Sequence, residues 1–362
     1  MLLSWLVLSD YRCYEAVRFN PAPGVNVLVG ANGAGKTSLL EAIGYLGLLR
    51  SFRRTPDEAL VRTGVSQMVA RGEFTRPHGE VLVEVEVPIA GRRRVLLNGK
   101  RPKRNRDVLT EVPVVAFLPD DLDLVKRGPA LRREYLDELA AQLRPQAAAD
   151  QAEYERTVRQ RNSLLRQEGV NTHPATLEVW DERLADAGAR VFRQRAYVIG
   201  ELDPFLDPGY RAVGGAGALR WEYASNWGAG SDLDDESLVT ALRRALGERR
   251  SRDLTQRTTT AGPHRDDPGL TLDARPLRTH ASQGEQRTAA LAMRVGAYRL
   301  LADHRSSPPL LLLDDVFSEL DANRVRGVVD MLPVGQVFVT TARDDDVPVA
   351  GTRWLVSEGG VK

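Results

Sequence analysis

The run Gly30-Ala-Asn-Gly-Ala-Gly-Lys-Thr-Ser38 fits G-x-x-x-x-G-K-[ST] at every required position. A β-rich apolar run, Val25-Asn-Val-Leu-Val29, precedes it and a helix-like run, Ser38-Leu-Leu-Glu-Ala-Ile43, follows. Strand, loop and helix in that order predict a phosphate-binding P-loop, in which the glycines let successive N–H groups point at phosphate oxygens. The expected nucleotide-binding residues are Gly30, Ala31, Asn32, Gly33, Ala34, Gly35, Lys36, Thr37 and Ser38. Lys36 would reach the β- and γ-phosphates, and the Thr37 hydroxyl would ligate Mg²⁺. Much further along, Leu310-Leu-Leu-Leu-Asp314-Asp315 has the character of a strand buried on both faces of a parallel sheet, ending in two carboxylates. Ligands of open α/β sheets collect at the carboxyl ends of strands, so Asp314 is placed beside the P-loop as a second Mg²⁺ ligand, direct or through water. Asp315 is positioned to orient or deprotonate an attacking water.

A third constellation is Ala281-Ser-Gln-Gly-Glu-Gln-Arg287, which opens a helical run through Ala289, Leu291, Met293, Val295 and Leu300. Ser282 and Glu285 have capping-box spacing. The same residues also supply a hydroxyl, a glycine amide at Gly284 and a helix N-terminus, which a γ-phosphate needs. Downstream come Ser318-Glu-Leu-Asp321 and a buried-strand pattern, Gln336-Val-Phe-Val-Thr-Thr-Ala342, ending in hydroxyls.

The rest of the chain has to bring these segments together. With 362 residues there is room for two domains or for one large domain with an inserted lobe. A net charge of +1 neither demands nor excludes a polyanionic partner, so charge distribution must decide. The single cysteine, Cys13, cannot form an internal disulfide, and the five histidines show no metal-ligand spacing. No apolar stretch approaches the ~20 residues of a membrane span, and no signal-peptide pattern opens the chain, which together suggest a cytoplasmic protein without a membrane partner.

From Met1 to about Phe52 the pattern reads as the first half of a nucleotide-binding core. Over residues 66–118, alternation in Glu80–Val87 and the Asn98-Gly99 turn predict antiparallel strands. Residues 128–202 read as a helical lobe, with Leu131–Leu143, Ala147–Arg166 and Ala175–Ile199 separated by Pro145, Gly169 and Pro174. A β-like patch at Leu219–Tyr223 and a helix at Glu236–Arg249 follow, before core-type patterns return near residue 255. The expected division is a first domain of 1–127 and 255–362, combining the ATPase core with the β-subdomain, and a helical lobe over 128–254.

Taken in order, the P-loop, the serine-glycine segment, the leucine-Asp strand and the Ser-x-Leu-Asp loop resemble the ABC-type ATPase heads of transporters and chromosome-maintenance proteins. Ser51-Phe-Arg53, Leu118-Pro-Asp-Asp-Leu122, Gly128-Pro-x-x-Arg-Arg133 and Gly262-Pro-His-Arg-Asp266 make the chain resemble the RecF family more closely. That resemblance implies an α/β fold, an ABC-type P-loop ATPase head with an antiparallel β-subdomain and an inserted helical lobe. It also implies an ATP-dependent homodimer in which Ser282, Gly284 and Gln286 of one subunit complete the site around Lys36 and Thr37 of the other. Lys36, Asp314, Asp315 and Ser282 are then the catalytic set of a weak, DNA-stimulated ATPase. Thr341 falls where many relatives carry a switch histidine, and Asp315 where many carry glutamate; both departures fit slow hydrolysis. Asp120 or Asp121 stands where a glutamine links core and helical lobe. Gly262–Asp266 has no evident chemical role.

For the family the implied function is DNA replication and recombinational repair within the SOS response to DNA damage: ATP-induced dimers bind duplex DNA near single-strand/double-strand junctions and help load recombinase with RecR and RecO, and hydrolysis releases the DNA. The residues themselves offer a basic cluster without acids: Arg92, Arg93, Arg94, Lys100, Arg101, Lys103, Arg104 and Arg106. Such a cluster is either solvated surface or a phosphate-backbone contact. Arg53 and Arg54 are further candidates, with Arg156, Arg159 and Arg166 on the helical lobe. Other classes compatible with a P-loop are a transporter's ATPase subunit, a structural chromosome-maintenance head and a small-molecule kinase. The long β-plus-helical insertion disfavours the first, the short helical insertion the second, and the serine-glycine segment the third.

Overall fold

The computed structural model describes residues 1–104, 107–305, 307–319, 322–330 and 335–362. In chain order the elements begin with β1 (Leu2–Tyr11), β2 (Tyr14–Phe19), β3 (Val25–Val29), α1 (Lys36–Leu48), β4 (Gln67–Arg76), β5 (Gly79–Pro88), β6 (Arg94–Leu97), α2 (Asp107–Glu111) and β7 (Val114–Phe117). Next come α3 (Asp123–Lys126), α4 (Pro129–Leu143), α5 (Pro145–Glu168), α6 (Pro174–Ala212), β8 (Leu219–Ala224), α7 (Asp235–Glu248), α8 (Arg250–Gln256), β9 (Asp267–Leu272), β10 (Arg275–Pro276) and α9 (Leu277–His280). The chain closes with α10 (Gln283–Asp303), β11 (Leu310–Asp314), α11 (Ala322–Asp330), β12 (Val337–Thr341), β13 (Thr352–Ser357) and β14 (Gly360–Val361).

Two compact units divide these elements: Met1–Leu122 with Pro208–Ala216 and Arg287–Lys362, and Asp123–Asp207 with Gly217–Gln286. Residues 255–286, grouped by their sequence pattern with the core, fall in the second unit. The cause is a strand pairing: β9 lies antiparallel to β8, with Leu272 opposite Leu219 and Asp267 opposite Ala224.

In the first unit, a six-stranded sheet has the order β14-β13-β3-β12-β11-β7, parallel except for β14. A second, antiparallel sheet has the order β2-β1-β4-β5-β6. The sequence pattern assigns β1 and β2 to the nucleotide core, but they belong to the antiparallel sheet, because the ten-residue β1 pairs with β4 from Leu2 opposite Thr75 to Ser9 opposite Val69. Conversely β7, within the stretch expected to be antiparallel, joins the parallel sheet beside β11. At the β6 end, Asn98 and Gly99 both take positive φ, 52° and 71°, and close a tight turn between Leu97 and Lys100.

Helix α1 is apolar nearly all round and packs on strands of both sheets, so one hydrophobic core runs through the first unit. The approach is close enough that a Cβ at Gly47 would run into Val112 O and Val114 Cγ2. Burial of α1 fixes the P-loop at its N-terminus.

In the second unit, α4 and α5 each start at a proline, where the missing N–H costs nothing. Tyr154, Leu184, Phe192, Trp227, Leu238, Leu242 and Leu246 form its apolar core. Beside it lies a buried ionic cluster. Arg161, fully buried, donates to Asp181 Oδ1 at 2.8 Å, to Asp253 Oδ2 at 2.7 Å and to Thr259 Oγ1 at 3.0 Å. Removing one partner of such a cluster strands the others, so Arg161→Ala should lower stability by about 3–5 kcal/mol. Urea unfolding checks this; a loss below about 1 kcal/mol would mean that water readily reaches the two carboxylates.

Candidate nucleotide site

The parallel sheet aligns the ends of three neighbouring strands. Asp314 pairs in register with Thr340, Thr340 with Leu28, and Thr341 with Val29, one residue before the P-loop. Gly30 N donates to Thr341 O at 3.3 Å and so anchors the loop's first residue to β12. Gly33 and Gly35 take φ of 83° and 106°. Only glycine suits position 35, where a Cβ would also meet Tyr14 OH at 2.7 Å and Cys13 Sγ at 2.9 Å. Ala31, Asn32 and Gly33 are exposed at the tip, whereas Gly30, Ala34 and Gly35 are buried and Thr37 and Ser38 half-buried.

Lys36 lies across the loop, its Nζ donating to Gly30 O at 2.7 Å and Ala31 O at 2.9 Å. Burial pulls its pKa below the usual lysine value, an effect opposed by the nearby charges of Asp315 and Asp314. The Thr37 hydroxyl donates to Asp314 Oδ1 at 2.8 Å across 277 residues of sequence. Thr340 Oγ1 donates to the same oxygen at 2.7 Å and accepts from Asp315 N at 2.9 Å. Burial pushes the Asp314 carboxyl above the usual aspartate value; the two threonine hydroxyls and the charge of Arg53 hold it back. Asp315 is half-buried with φ 49°, a left-handed conformation that aspartate tolerates, and it turns the chain out of β11.

These residues fit a nucleoside triphosphate with a divalent cation. The first turn of α1 contains no acidic side chain and Gly35 offers no side-chain cap, so the amide end is left to an anion. Thr37 and Asp314 are hard oxygen donors. Among the described residues no group of three or more His, Cys, Asp or Glu converges, so a cation here would draw its other ligands from water and phosphate, as Mg²⁺ does.

Thr340, which the sequence pattern does not single out, is the threonine whose hydroxyl meets Asp314. The Thr341 hydroxyl is instead turned into its own loop, donating to Arg343 O at 2.8 Å and accepting from Arg343 N at 3.2 Å. Ser282 is exposed and forms the capping box: Ser282 N donates to Glu285 Oε2 at 2.7 Å and Glu285 N to Ser282 Oγ at 3.3 Å. Gly284 follows one residue into α10. Gln286 is buried, with Nε2 donating to Leu277 O, Arg278 O and Ala281 O at 3.1–3.4 Å; it braces the segment leading to Ser282. Of the two aspartates at the linking position, Asp120 is exposed, while Asp121 is buried and bonded to Arg294 Nη2 at 2.6 Å.

In the basic cluster, Arg92, Arg94, Lys100, Arg101, Lys103 and Arg104 are exposed, as are Arg53 and Arg54. Arg93 turns inward to Asp57 at 3.1 Å and to Leu49 O, which leaves little of its charge for an external anion. Arg106 and Asp321 lie outside the described residues.

The Gly262–Asp266 segment is a polar hub of the second unit. Asp266 Oδ2 accepts from Tyr223 OH at 3.1 Å and Trp227 Nε1 at 3.2 Å, and Oδ1 accepts from Asn226 N at 3.3 Å. His264 Nδ1 lies 2.6 Å from Tyr154 OH, Arg133 donates to Asp266 O at 2.7 Å, and Arg195 donates to Pro263 O at 2.7 Å while gripping Asp137 with two further bonds. Gly128-Pro-x-x-Arg-Arg133 is absorbed into the same hub, since Arg132 reaches Asp267 at 2.7 Å.

A parallel sheet with a phosphate loop after β3 and a carboxylate ending β11, joined to an antiparallel sheet, defines an ABC-type P-loop ATPase head. The chain belongs to the RecF family: the RecF/RecN/SMC N terminal domain matches residues 2–357, and the DNA replication and repair protein RecF of Acidothermus cellulolyticus is 42% identical over 369 residues, covering 100% of this chain and 99% of that one. RecF of Streptomyces avermitilis is 40% identical over 373 residues, with both chains fully covered. Among solved structures, the recombination mediator RecF-ATP of the RecFOR pathway superposes with a TM-score of 0.93 at 29% identity, over 99% of this chain and 96% of that one. An Smc head bound to the C-winged helix domain of ScpA shares the fold, with a TM-score of 0.57 at 18% identity over 100% and 96% of the two chains.

The hub carries two groups that titrate with opposite effect. Burial lowers His264 from 6.5 to about 4 and raises Asp266 from 3.8 to about 6. Between about pH 4 and 6.5 the unfolded chain binds a proton at position 264 that the folded chain refuses, so stability falls with acidification. Between about pH 3.8 and 6 the folded chain keeps a proton at Asp266 that the unfolded chain releases, so this contribution is full at low pH and lost as pH rises through about 6. The two offset each other. Asp266→Asn removes one side, and its unfolding free energy should then drop between about pH 6 and 4 by up to about 1.4 kcal/mol per pH unit relative to the parent, while above about pH 6 the two slopes coincide. Denaturation at a series of pH values gives the slopes; parallel slopes for parent and variant would refute the compensation.

Proposed function

We propose that the chain is an ATP-dependent DNA-binding switch of recombinational repair, a weak ATPase whose ATP-bound homodimer holds duplex DNA near single-strand gaps. The observation that carries this reading is the convergence of Thr37 and Thr340 on Asp314, which ties the phosphate loop to the strand that ends in Asp315. Cytoplasmic RecR and RecO partners and recombinase loading follow from the family. Among the described residues no helix is long and apolar enough to cross a membrane.

Lys36 would exchange its present partners, the Gly30 and Ala31 carbonyls of the loop itself, for phosphate oxygens. Mg²⁺ held by Thr37 and Asp314 would supply charge neutralisation at the β- and γ-phosphates. Asp315, fixed by the bond from its N to Thr340, orients the water and accepts its proton as the water oxygen bonds to the γ-phosphorus and the bond to the bridging oxygen breaks, leaving ADP and phosphate. Turnover is slow on this account: Asp is a methylene shorter than Glu, and the Thr341 hydroxyl is engaged by Arg343. Ser282, exposed on the capped end of α10, serves the γ-phosphate bound by a second copy of the chain.

ATP should therefore produce dimers where ADP leaves monomers. Ser282→Arg should bind ATP as the parent does and stay monomeric in sedimentation, whereas Lys36→Met should lose ATP binding or turnover itself. Stable ATP-bound dimers of Ser282→Arg would overturn the composite site.

Duplex binding should be indifferent to sequence and sensitive to salt, because the exposed cations offer backbone neutralisation and the sequence carries no base-reading motif. Replacing Arg101, Lys103 and Arg104 with Ala should flatten the slope of log K against log[salt] by about 2.7, three times 0.9, while ATP-driven dimerisation survives. An unchanged slope would return the cluster to solvated surface.

A further inference from the structure

The segment after α1, which carries Arg53, is anchored by a buried relay. The Glu41 side chain has no solvent exposure. Its carboxylate accepts from Arg12 Nε at 2.9 Å, from Arg12 Nη2 at 2.8 Å and from Ser51 Oγ at 2.5 Å. The Ser51 hydroxyl also accepts from Arg53 N at 3.0 Å. Arg12 extends the grip along the same segment, through Nη2 to Thr55 Oγ1 at 2.9 Å, Nη1 to Ala59 O at 3.0 Å and its backbone N to Leu60 O at 2.8 Å. The next residues of that turn pack on the phosphate loop: Tyr14 OH donates to Gly35 O at 3.1 Å, and the Cys13 sulfur lies beside Gly35. One turn between β1 and β2 thus holds both the P-loop and the Arg53 segment.

An apolar pair of equal volume would hold α1 in the core at least as well, since desolvating two charges offsets much of their attraction. What the ionic relay adds is direction. Five bonds from Arg12 and Ser51 to named oxygens, with a sixth into the Ser51 hydroxyl, fix the path of the chain over residues 51–59. The Arg53 guanidinium is exposed on this segment, which the β1–β2 turn ties through Arg12 to Thr55 and Ala59 and, through Tyr14, to Gly35 of the phosphate loop.

We propose that Ser51 and Glu41 are positioning residues for ATP hydrolysis, a relay that sets the Arg53 segment against the phosphate loop. The proposal rests on the hydrolytic reading above. A cation whose segment is held at a fixed place relative to the phosphate loop can favour the charge that builds as the γ-phosphorus leaves the bridging oxygen for water; a cation on a loose loop does so less.

Ser51→Ala removes the hydroxyl that joins Glu41 to Arg53 N and leaves every P-loop atom in place. Its affinity for a fluorescent ATP analogue and its KM should stay within about twofold of the parent, while kcat falls roughly tenfold. Ser51→Thr should restore kcat. Arg53→Ala should show a similar loss, and the double variant no further one, because both act through one segment. Glu41→Gln, if it folds, should match Ser51→Ala. Parental kcat in Ser51→Ala, an additive loss in the double variant, or a fall in affinity equal to the fall in kcat would each overturn the relay. Asp315→Asn separates the two levels: a rate equal to the parent's would sink the hydrolytic reading and the relay with it, whereas a lower rate alongside an unimpaired Ser51→Ala would sink the relay alone.

Discussion

The carboxylate of Asp314 is the constraint around which the first unit is arranged. It is buried, and each of the two hydroxyls that meet it supplies a charge-assisted bond of about 1.5–3 kcal/mol. Burying a carboxylate costs several kcal/mol, so the threonines alone leave the group under-compensated, which is the electrostatic condition for recruiting a cation. The same requirement sets strand register. Thr340 faces Asp314 only if β12 pairs with β11 and β3 as observed; a slip of one residue that brought Val339 opposite Asp314 would leave the carboxylate without its second donor.

Helix α1 transmits that constraint into the core. Its apolar residues are covered on both sides by strands, and its two buried charges, Lys36 and Glu41, each have assigned partners. The P-loop therefore cannot shift as a loop might; moving it would disturb Leu39, Leu40, Ile43 and Leu46, all fully buried. The β1–β2 turn closes the arrangement, with Arg12 on one side of α1 and Tyr14 at its N-terminus.

What the sequence reveals of this is what local chemistry encodes. Glycine spacing announces the P-loop, a run of leucines announces the buried strand before Asp314, the Ser282–Glu285 spacing announces a cap, and prolines mark the starts of α4 and α5. The rest depends on partners far away in the chain. Thr340 and Thr341 are chemically identical neighbours, and only pairing with β11 tells them apart. Arg93 lies in a run of arginines yet turns to Asp57, a contact no charge count reveals. Gln286 sits where the resemblance implies a nucleotide contact, but the fold of α9 presents it with three carbonyls. β1 and β2 share the apolar character of core strands, and only the complementary alternation of β4 draws them into the antiparallel sheet.

The second unit uses the same device as the first at the element that carries Ser282. Strand β9 begins at Asp267, whose carboxylate is gripped by Arg132, directly after Asp266, whose carbonyl is gripped by Arg133. From there the chain runs through β10 and α9 to Ser282, with Gln286 bracing the last turn. Apolar packing alone would leave such a short strand and four-residue helix free to settle in several ways, because dispersion has no preferred direction. Guanidinium forks do have one. Arg195, pinned by two bonds to Asp137, presents its third donor to Pro263 O, and its charge offsets part of the rise that burial imposes on the Asp266 carboxyl. A motif without a reactive role of its own thus has a physical one: it fixes, from within the second unit, the path of the chain to the exposed serine.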